Sequence, residues 1–207
     1  MSQLYKTAQE EFWSGEFGND YINRNKSDQL LASNVNYFSK ILEGCSAIEN
    51  VLELGANIGM NMKALKILLP SAHLSGVEIN EAAYKELIAI DNVKGFHQSI
   101  FDFTTDDLFD FVFIKGVLIH LNPDMLHIAY EKLYSSSRKY ICIGEYYNPV
   151  PVALNYRGHS DKLYKRDFAG EFMNQYPDVE LVKYGFAYHK DPLFPQDDIN
   201  WFLFKKK

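Results

Sequence analysis

Between residues 28 and 43 the apolar positions recur every three or four residues, with Leu30, Leu31, Val35, Phe38, Ile41 and Leu42 on one face. The spacing predicts a helix from Ser27 or Asp28 to about Glu43, stopped by Gly44. The period then changes. A short apolar run of strand length, Ile48 to Leu54, meets a glycine-containing turn, Gly55 to Gly59, and a helical stretch from Met60 to Leu69 that Pro70 ends. The alternation repeats as strand Leu74–Ile79, helix Glu81–Ile90 and strand Val93–Gln98. It continues as strand Asp110–Lys115, helix Pro123–Tyr134 behind Asn122, and strand Tyr140–Glu145.

After Tyr146 the rhythm breaks. A segment rich in Pro, Tyr and basic residues, Asn148 to Arg166, reads as a loop and leads to a helix at Asp167–Tyr176. Two final strands, near Val179–Tyr188 and Asn200–Phe204, are joined by a short Pro-containing connection and so pair antiparallel. Strands alternating with helices predict an α/β domain, a parallel sheet with helices on both faces, finished by an antiparallel pair. With 207 residues the chain has room for one such domain, 1–207, and not for two ordinary ones.

The chemistry sits where strands end. Val51 to Asn61 begins as a buried strand, turns tightly and opens a helix, and a ligand can lie against Gly55, Asn57, Gly59 and Met60 where the backbone is uncluttered. Asn57 replaces a glycine common in such turns; it tolerates positive φ better than other side chains. Glu53, just before the turn, suits an ammonium group and would set a negative charge where a dinucleotide needs its pyrophosphate. The acid therefore favours S-adenosylmethionine over NAD as cofactor. Glu78, ending the second strand beside Ile79, can accept both ribose hydroxyls. Ser99 and Ile100, ending the third, offer a polar cap and an apolar wall for adenine, and Lys115 and Leu118 close the pocket after the fourth. Trp13, Tyr21 and Arg24 fold over the cofactor as part of an N-terminal helical lid, 1–44, with Arg24 on the methionine carboxylate; the alternative is an amphipathic helix on the core with Arg24 exposed.

Composition narrows the partners. The net charge of −6 argues against a protein that coats nucleic acid. No apolar run approaches the about 20 residues of a membrane helix, and residues 1–25 lack a signal pattern, so a cytoplasmic protein without a membrane partner is expected. The two cysteines, Cys45 and Cys142, read as buried thiols. No cluster has metal-ligand spacing, so no catalytic metal is expected. Against this acidic background Arg157, His159, Lys162, Lys165 and Arg166 concentrate positive charge. Interleaved with Tyr146, Tyr147, Asn148 and Tyr156, they suit an acceptor-binding loop, 146–166, for an anionic sugar; such a run equally describes a solvated face. For a base, His120 ranks first, then His159 and Glu145.

The ordered glycine turn and strand-end acids resemble the class I S-adenosylmethionine-dependent methyltransferases, which implies a Rossmann-like seven-stranded sheet, mostly parallel with an antiparallel closing strand. Further blocks resemble a bacterial subgroup, the pseudaminic acid biosynthesis-associated methylases. They are Glu10 to Gly18 with Tyr21 to Asn25, Glu145 to Pro149, Tyr156 to Leu163, Lys165 to Phe168, and Asp197 to Leu203. That resemblance implies O-methylation of a nonulosonic acid, a nine-carbon sugar acid free or as its CMP conjugate, for surface glycan or flagellin. A methyltransferase for another small metabolite or nucleotide sugar, a non-catalytic cofactor-binding scaffold and an NAD enzyme are the competing readings.

Overall fold

The computed structural model describes residues 5–22, 26–156 and 158–207, with the side chains of residues 159–162 outside that description. Arg24 and Arg157, expected on the cofactor carboxylate and on the acceptor, lie outside the described residues.

Seven strands form one sheet in the order β3-β2-β1-β4-β5-β9-β8: β1 (Asn50–Leu54), β2 (His73–Glu78), β3 (Val93–His97), β4 (Phe109–Lys115), β5 (Ser137–Glu145), β8 (Val179–Ala187) and β9 (Ile199–Lys206). The strands β1 to β5 pair parallel, and β9 runs antiparallel between β5 and β8. The sheet's period of two sends alternate residues to opposite cores. Phe111 and Phe113 of β4 join Val51, Tyr140 and Cys142 under α3 (Asp28–Leu42), α4 (Met60–Leu68) and α5 (Glu81–Ile88). Val112 and Ile114 join Leu52, Leu54, Ile141 and Ile143 under α6 (Leu126–Ser136) and α7 (Phe168–Gln175). Burial on both faces is why these strands read as continuous apolar runs. Each large side chain so buried contributes about 1.5–3 kcal/mol.

Local chemistry fixes the helix ends. Ser27 caps α3 through its hydroxyl to Leu30 N–H, Asn80 caps α5 at Ala83 N–H, and Asp167 caps α7 at Gly170 N–H. Gly44, at φ +77°, follows α3 as expected. The start of one helix differs from the sequence reading. The helix behind Asn122 opens with a 3-10 turn over Pro123–Met125 and becomes α-helical only at Leu126.

The stretch 148–166 is not a loop. It folds back as a hairpin of β6 (Val152–Tyr156) and β7 (His159–Lys165), pairing Leu154 with Leu163 and Val152 with Lys165. Its turn contains Gly158 at φ +88°, whose N–H donates to Asn155 Oδ1. The polar, Pro-flanked composition hid the strands because β6 is almost wholly solvent-facing, so no apolar alternation marks it. The N-terminal segment forms α1 (Ala8–Ser14) and α2 (Glu16–Ile22). Among the described residues no helix is long and apolar enough to cross a membrane.

Candidate active site

One cavity opens at the carboxyl ends of β1 to β4, the edge at which parallel α/β sheets bind ligands. Its wall is assembled from Gly55–Ile58 after β1, Glu78–Asn80 after β2, Ser99–Phe101 after β3 and Lys115–Val117 after β4. The strand-end segments named from the sequence thus converge on one space.

The turn after β1 is built for close approach. Gly55 stands at φ +81° on the cavity wall, and a Cβ there would sit 2.7 Å from Val117 Cγ2. Asn57, at φ 47°, adopts the left-handed conformation expected of it. The turn's N–H groups are satisfied within the protein. Those of Gly55 and Ala56 both donate to Val77 O, that of Asn57 to Glu78 Oε2 at 2.7 Å, that of Ile58 to Asn57 Oδ1, and that of Gly59 to Ala56 O. Such a turn has no row of bare donors to offer a pyrophosphate. Gly59 does not line the cavity; its absent side chain makes room for Ile90 and Leu87, whose methyls lie 2.4 and 2.9 Å from where a Cβ would be.

The two carboxylates prove to have different jobs. Glu78 lines the cavity, held by Asn57 N–H and by Asn80 N–H, which donates to Oε1 at 2.7 Å. Burial raises its pKa, opposed by those hydrogen bonds and by His97. Each oxygen keeps a lone pair for a ligand hydroxyl. Glu53 is 1% exposed, is not on the cavity wall, and accepts a hydrogen bond from Asn61 Nδ2 at 2.6 Å. Burial pushes its carboxyl up to about 8, so the expectation that it sets a fixed negative charge at the helix start is corrected. Glu53 acts through Asn61, which lines the cavity.

Beside it, Lys115 Nζ donates to Asn34 Oδ1 at 2.8 Å and Gln196 Oε1 at 3.2 Å and lies 4.7 Å above the Tyr37 ring. Burial lowers this amine to about 8, while Glu53 and Asp197 hold it up. Sequence reasoning missed Asn34, Asn61, Gln196 and Asp197 as wall residues. Asn34 and Gln196 are 162 positions apart, yet they share a hydrogen bond of 2.9 Å.

At the opposite side the wall turns aromatic. Trp13 of α1 packs against His120 with ring centroids 4.6 Å apart, and His120 against Tyr156 of β6 at 5.0 Å. Tyr21 meets Trp13 at 5.4 Å, and Tyr146 completes the wall. The N-terminal helices and the hairpin therefore both reach the cavity. Leu118, expected on the cofactor, is buried beneath the wall and Val117 and Ile119 line it instead.

Three expected acceptor residues face elsewhere. Arg166 pairs with Glu171 at 2.6 Å, Tyr147 is not on the cavity wall, and Asn148 Nδ2 donates to Val150 O. Lys165 is not on the wall either, but its Nζ lies 5.0 Å above the ring of Tyr146, which is. The strand β7 carries His159 and Lys162, whose side chains lie outside the described residues. Among the described residues no group of three or more His, Cys, Asp or Glu is placed to hold a metal ion.

Glu145, the third candidate base, is 3% exposed and off the cavity wall, its Oε1 accepting the N–H groups of Val117 and Leu118, each at 2.8 Å. It fixes the loop that carries His120 rather than reaching a substrate. Burial raises it from 4.5 to about 8. A carboxyl raised on folding contributes stability that is complete below about pH 4.5 and lost as pH climbs to about 8. Glu145→Gln keeps the accepting oxygen and removes the titration. The melting temperature of the wild-type chain should fall between pH 5 and 8, and the variant's decline should be shallower, each kcal/mol recovered at pH 8 being worth about 2–4 °C. Parallel melting curves would reject this role for Glu145.

No family model and no curated protein matches the chain. Solved structures do resemble it. A Leishmania major S-adenosylmethionine-dependent methyltransferase aligns with a TM-score of 0.70 at 16% identity, covering 98% of this chain and 87% of the other. A Burkholderia thailandensis 1,6-didemethyltoxoflavin N1-methyltransferase, solved with its substrate and S-adenosylhomocysteine, aligns at 0.70 and 12% identity over 96% and 87%. A Synechocystis magnesium protoporphyrin IX methyltransferase with bound S-adenosylmethionine aligns at 0.68 and 10% identity over 100% of both chains. At such identities the likeness carries the fold, and the fold is the Rossmann-like one of the class I methyltransferases.

Proposed function

We propose that this chain is an S-adenosylmethionine-dependent methyltransferase for a small polar acceptor. One observation carries the reading: a glycine turn whose own donors are internally satisfied stands in one cavity with an anchored, acceptor-only carboxylate at Glu78. A nucleoside without phosphates fits that chemistry. Its ribose hydroxyls would donate to Glu78, its base would lie between Ile79 and Ile100, and its amino-acid end would meet the polar group of Asn61, Lys115 and Gln196. When bound, the cofactor supplies a methyl group activated by a sulfonium.

The residues of the chain supply alignment, shielding and a proton acceptor. Trp13, Tyr21, Tyr146 and Tyr156 shield the reacting centre from water and can pack on a sugar face. His120 lies among them on the cavity wall, where its ring can take the acceptor hydroxyl's proton as the oxygen–methyl bond forms. His120→Ala should lower kcat by about 100-fold or more while the Kd for S-adenosylhomocysteine stays within about twofold. An unchanged kcat would remove His120 as the base.

The finer reading of the acceptor, a nonulosonic acid or its CMP conjugate, rests on the sequence blocks shared with the pseudaminic acid-associated methylases. The aromatic wall and the Lys165 cation above Tyr146 support it. Of the basic run, Arg166 is paired with Glu171, and among its described side chains Lys165 lies beside the wall, over the ring of Tyr146. Isothermal titration with S-adenosylhomocysteine and with NAD tests the cofactor: binding of NAD and not of the nucleoside would overturn the methyltransferase. Incubation with methyl-labelled S-adenosylmethionine and free or CMP-linked sugar acids tests the acceptor. Labelled product from unrelated hydroxyl compounds alone would overturn the sugar.

A further inference from the structure

At the end of β3 the hydroxyl of Ser99 is already engaged. It accepts the N–H of Phe101 at 3.0 Å and donates its proton to Glu10 Oε1. Glu10 belongs to α1, 89 residues away in the chain, and no feature of the sequence marked it as a ligand residue. It is 6% exposed and stands on the cavity wall with Ser99, Ile100 and Phe101.

Its carboxylate is held firmly. Oε2 accepts the N–H groups of Lys6 at 2.6 Å and Thr7 at 3.0 Å, closing a capping box in which Glu10 N–H donates to Thr7 Oγ1 at 3.1 Å. Lys6 is paired in turn with Asp102, just beyond Phe101, so the start of α1 is fastened to the β3 end at two points. Oε1 has taken one donor, from Ser99, and retains a lone pair. A buried carboxylate with an open acceptor position, next to the apolar surface of Ile100, calls for an N–H donor on a flat ring.

We infer that Glu10 reads the exocyclic amine of the cofactor's purine, an assignment that rests on the methyltransferase reading and deepens it. Because a carboxylate only accepts, it welcomes a 6-amino group and opposes a 6-oxo group, whose lone pairs would face its own. The base-specific element of the site thus arrives on the N-terminal helix rather than from the sheet, and docking of α1 completes the nucleoside pocket.

The test compares S-adenosylhomocysteine with S-inosylhomocysteine, its 6-oxo counterpart, by titration calorimetry on the full chain. The wild type should prefer the adenine form by about tenfold or more. Glu10→Gln, whose amide can either accept or donate, should bring the two nucleosides to within about threefold. Thr7→Ala weakens the helix cap and leaves the carboxylate in place, so it should weaken both nucleosides by the same factor and keep the preference. Ser99→Ala should likewise keep the preference. A wild type that does not discriminate, or a Glu10→Gln variant that weakens both equally, would overturn the assignment while leaving the cofactor reading intact. Loss of preference in Ser99→Ala but not in Glu10→Gln would transfer the role to the hydroxyl. Failure of the wild type to bind either nucleoside would remove the methyltransferase reading and this inference together.

Discussion

Replacing Glu78 by alanine is expected to raise the Kd for S-adenosylhomocysteine by at least about 100-fold, measured by titration calorimetry. Two ribose hydroxyls donating to one carboxylate are worth about 1.5 kcal/mol or more each, and each 1.4 kcal/mol is tenfold in affinity. The substitution also strips acceptors from Asn57 N–H and Asn80 N–H, loosening the turn that forms the adjoining wall. Both consequences point the same way, so the effect should exceed that of any other wall carboxylate. Glu53→Gln provides the contrast. Its oxygen can still accept from Asn61 and its side chain does not reach the cavity, so the Kd should move by less than about tenfold. Equal losses in the two variants would mean that Glu78 has no privileged contact with the ligand.

The second large effect is expected from Gly55→Ala. An L side chain at φ +81° costs about 1–2 kcal/mol in backbone strain, and its Cβ would press to 2.7 Å from one Val117 methyl and 3.1 Å from the other. Val117 is part of the cavity wall, and its N–H is tied to Glu145, so the loop cannot simply retreat. A loss of about 2–4 kcal/mol in thermal or urea unfolding should accompany weakened nucleoside binding. Gly116→Ala isolates the backbone part: its φ is +67°, but nothing lies within 4 Å of the added carbon. Gly116→Ala should therefore cost only the strain, about 1–2 kcal/mol. Matching losses in the two variants would show that crowding against Val117 contributes nothing.

The conflict between the expected and observed roles of Glu53 is instructive. Both Glu53 and Glu78 are acids near strand ends, and pattern alone gives them equal standing. Glu78 is the last residue of β2 and its side chain emerges into the cavity, whereas Glu53 precedes the last residue of β1 and stays inside. The register sets Glu53 beside Gly76, two positions behind Glu78 on the same face, so depth below the strand ends, and not neighbourhood in the chain, decides which acid reaches the cavity. Glu145 and Leu118 illustrate the same point from the far side of the wall. Glu145 is drawn back by the backbone N–H groups of Val117 and Leu118, and Leu118 sinks into the α6 and α7 core.

The sequence by itself determined the sheet and most of the strand-end wall. Fully buried strands leave long apolar runs, and a turn at positive φ selects Gly55 and tolerates Asn57, so both signals are local. Trp13, Tyr21, His120, Tyr146 and Tyr156, singled out from the sequence for different roles, all line the one cavity. Only the tertiary structure decided which polar groups remain open. The turn's donors are consumed internally, Arg166 is captured by Glu171, and Glu10 reaches the end of β3 from another part of the chain. Hydrogen-bond capacity is finite, and whether a group has any left for a ligand depends on partners that folding delivers from far along the chain.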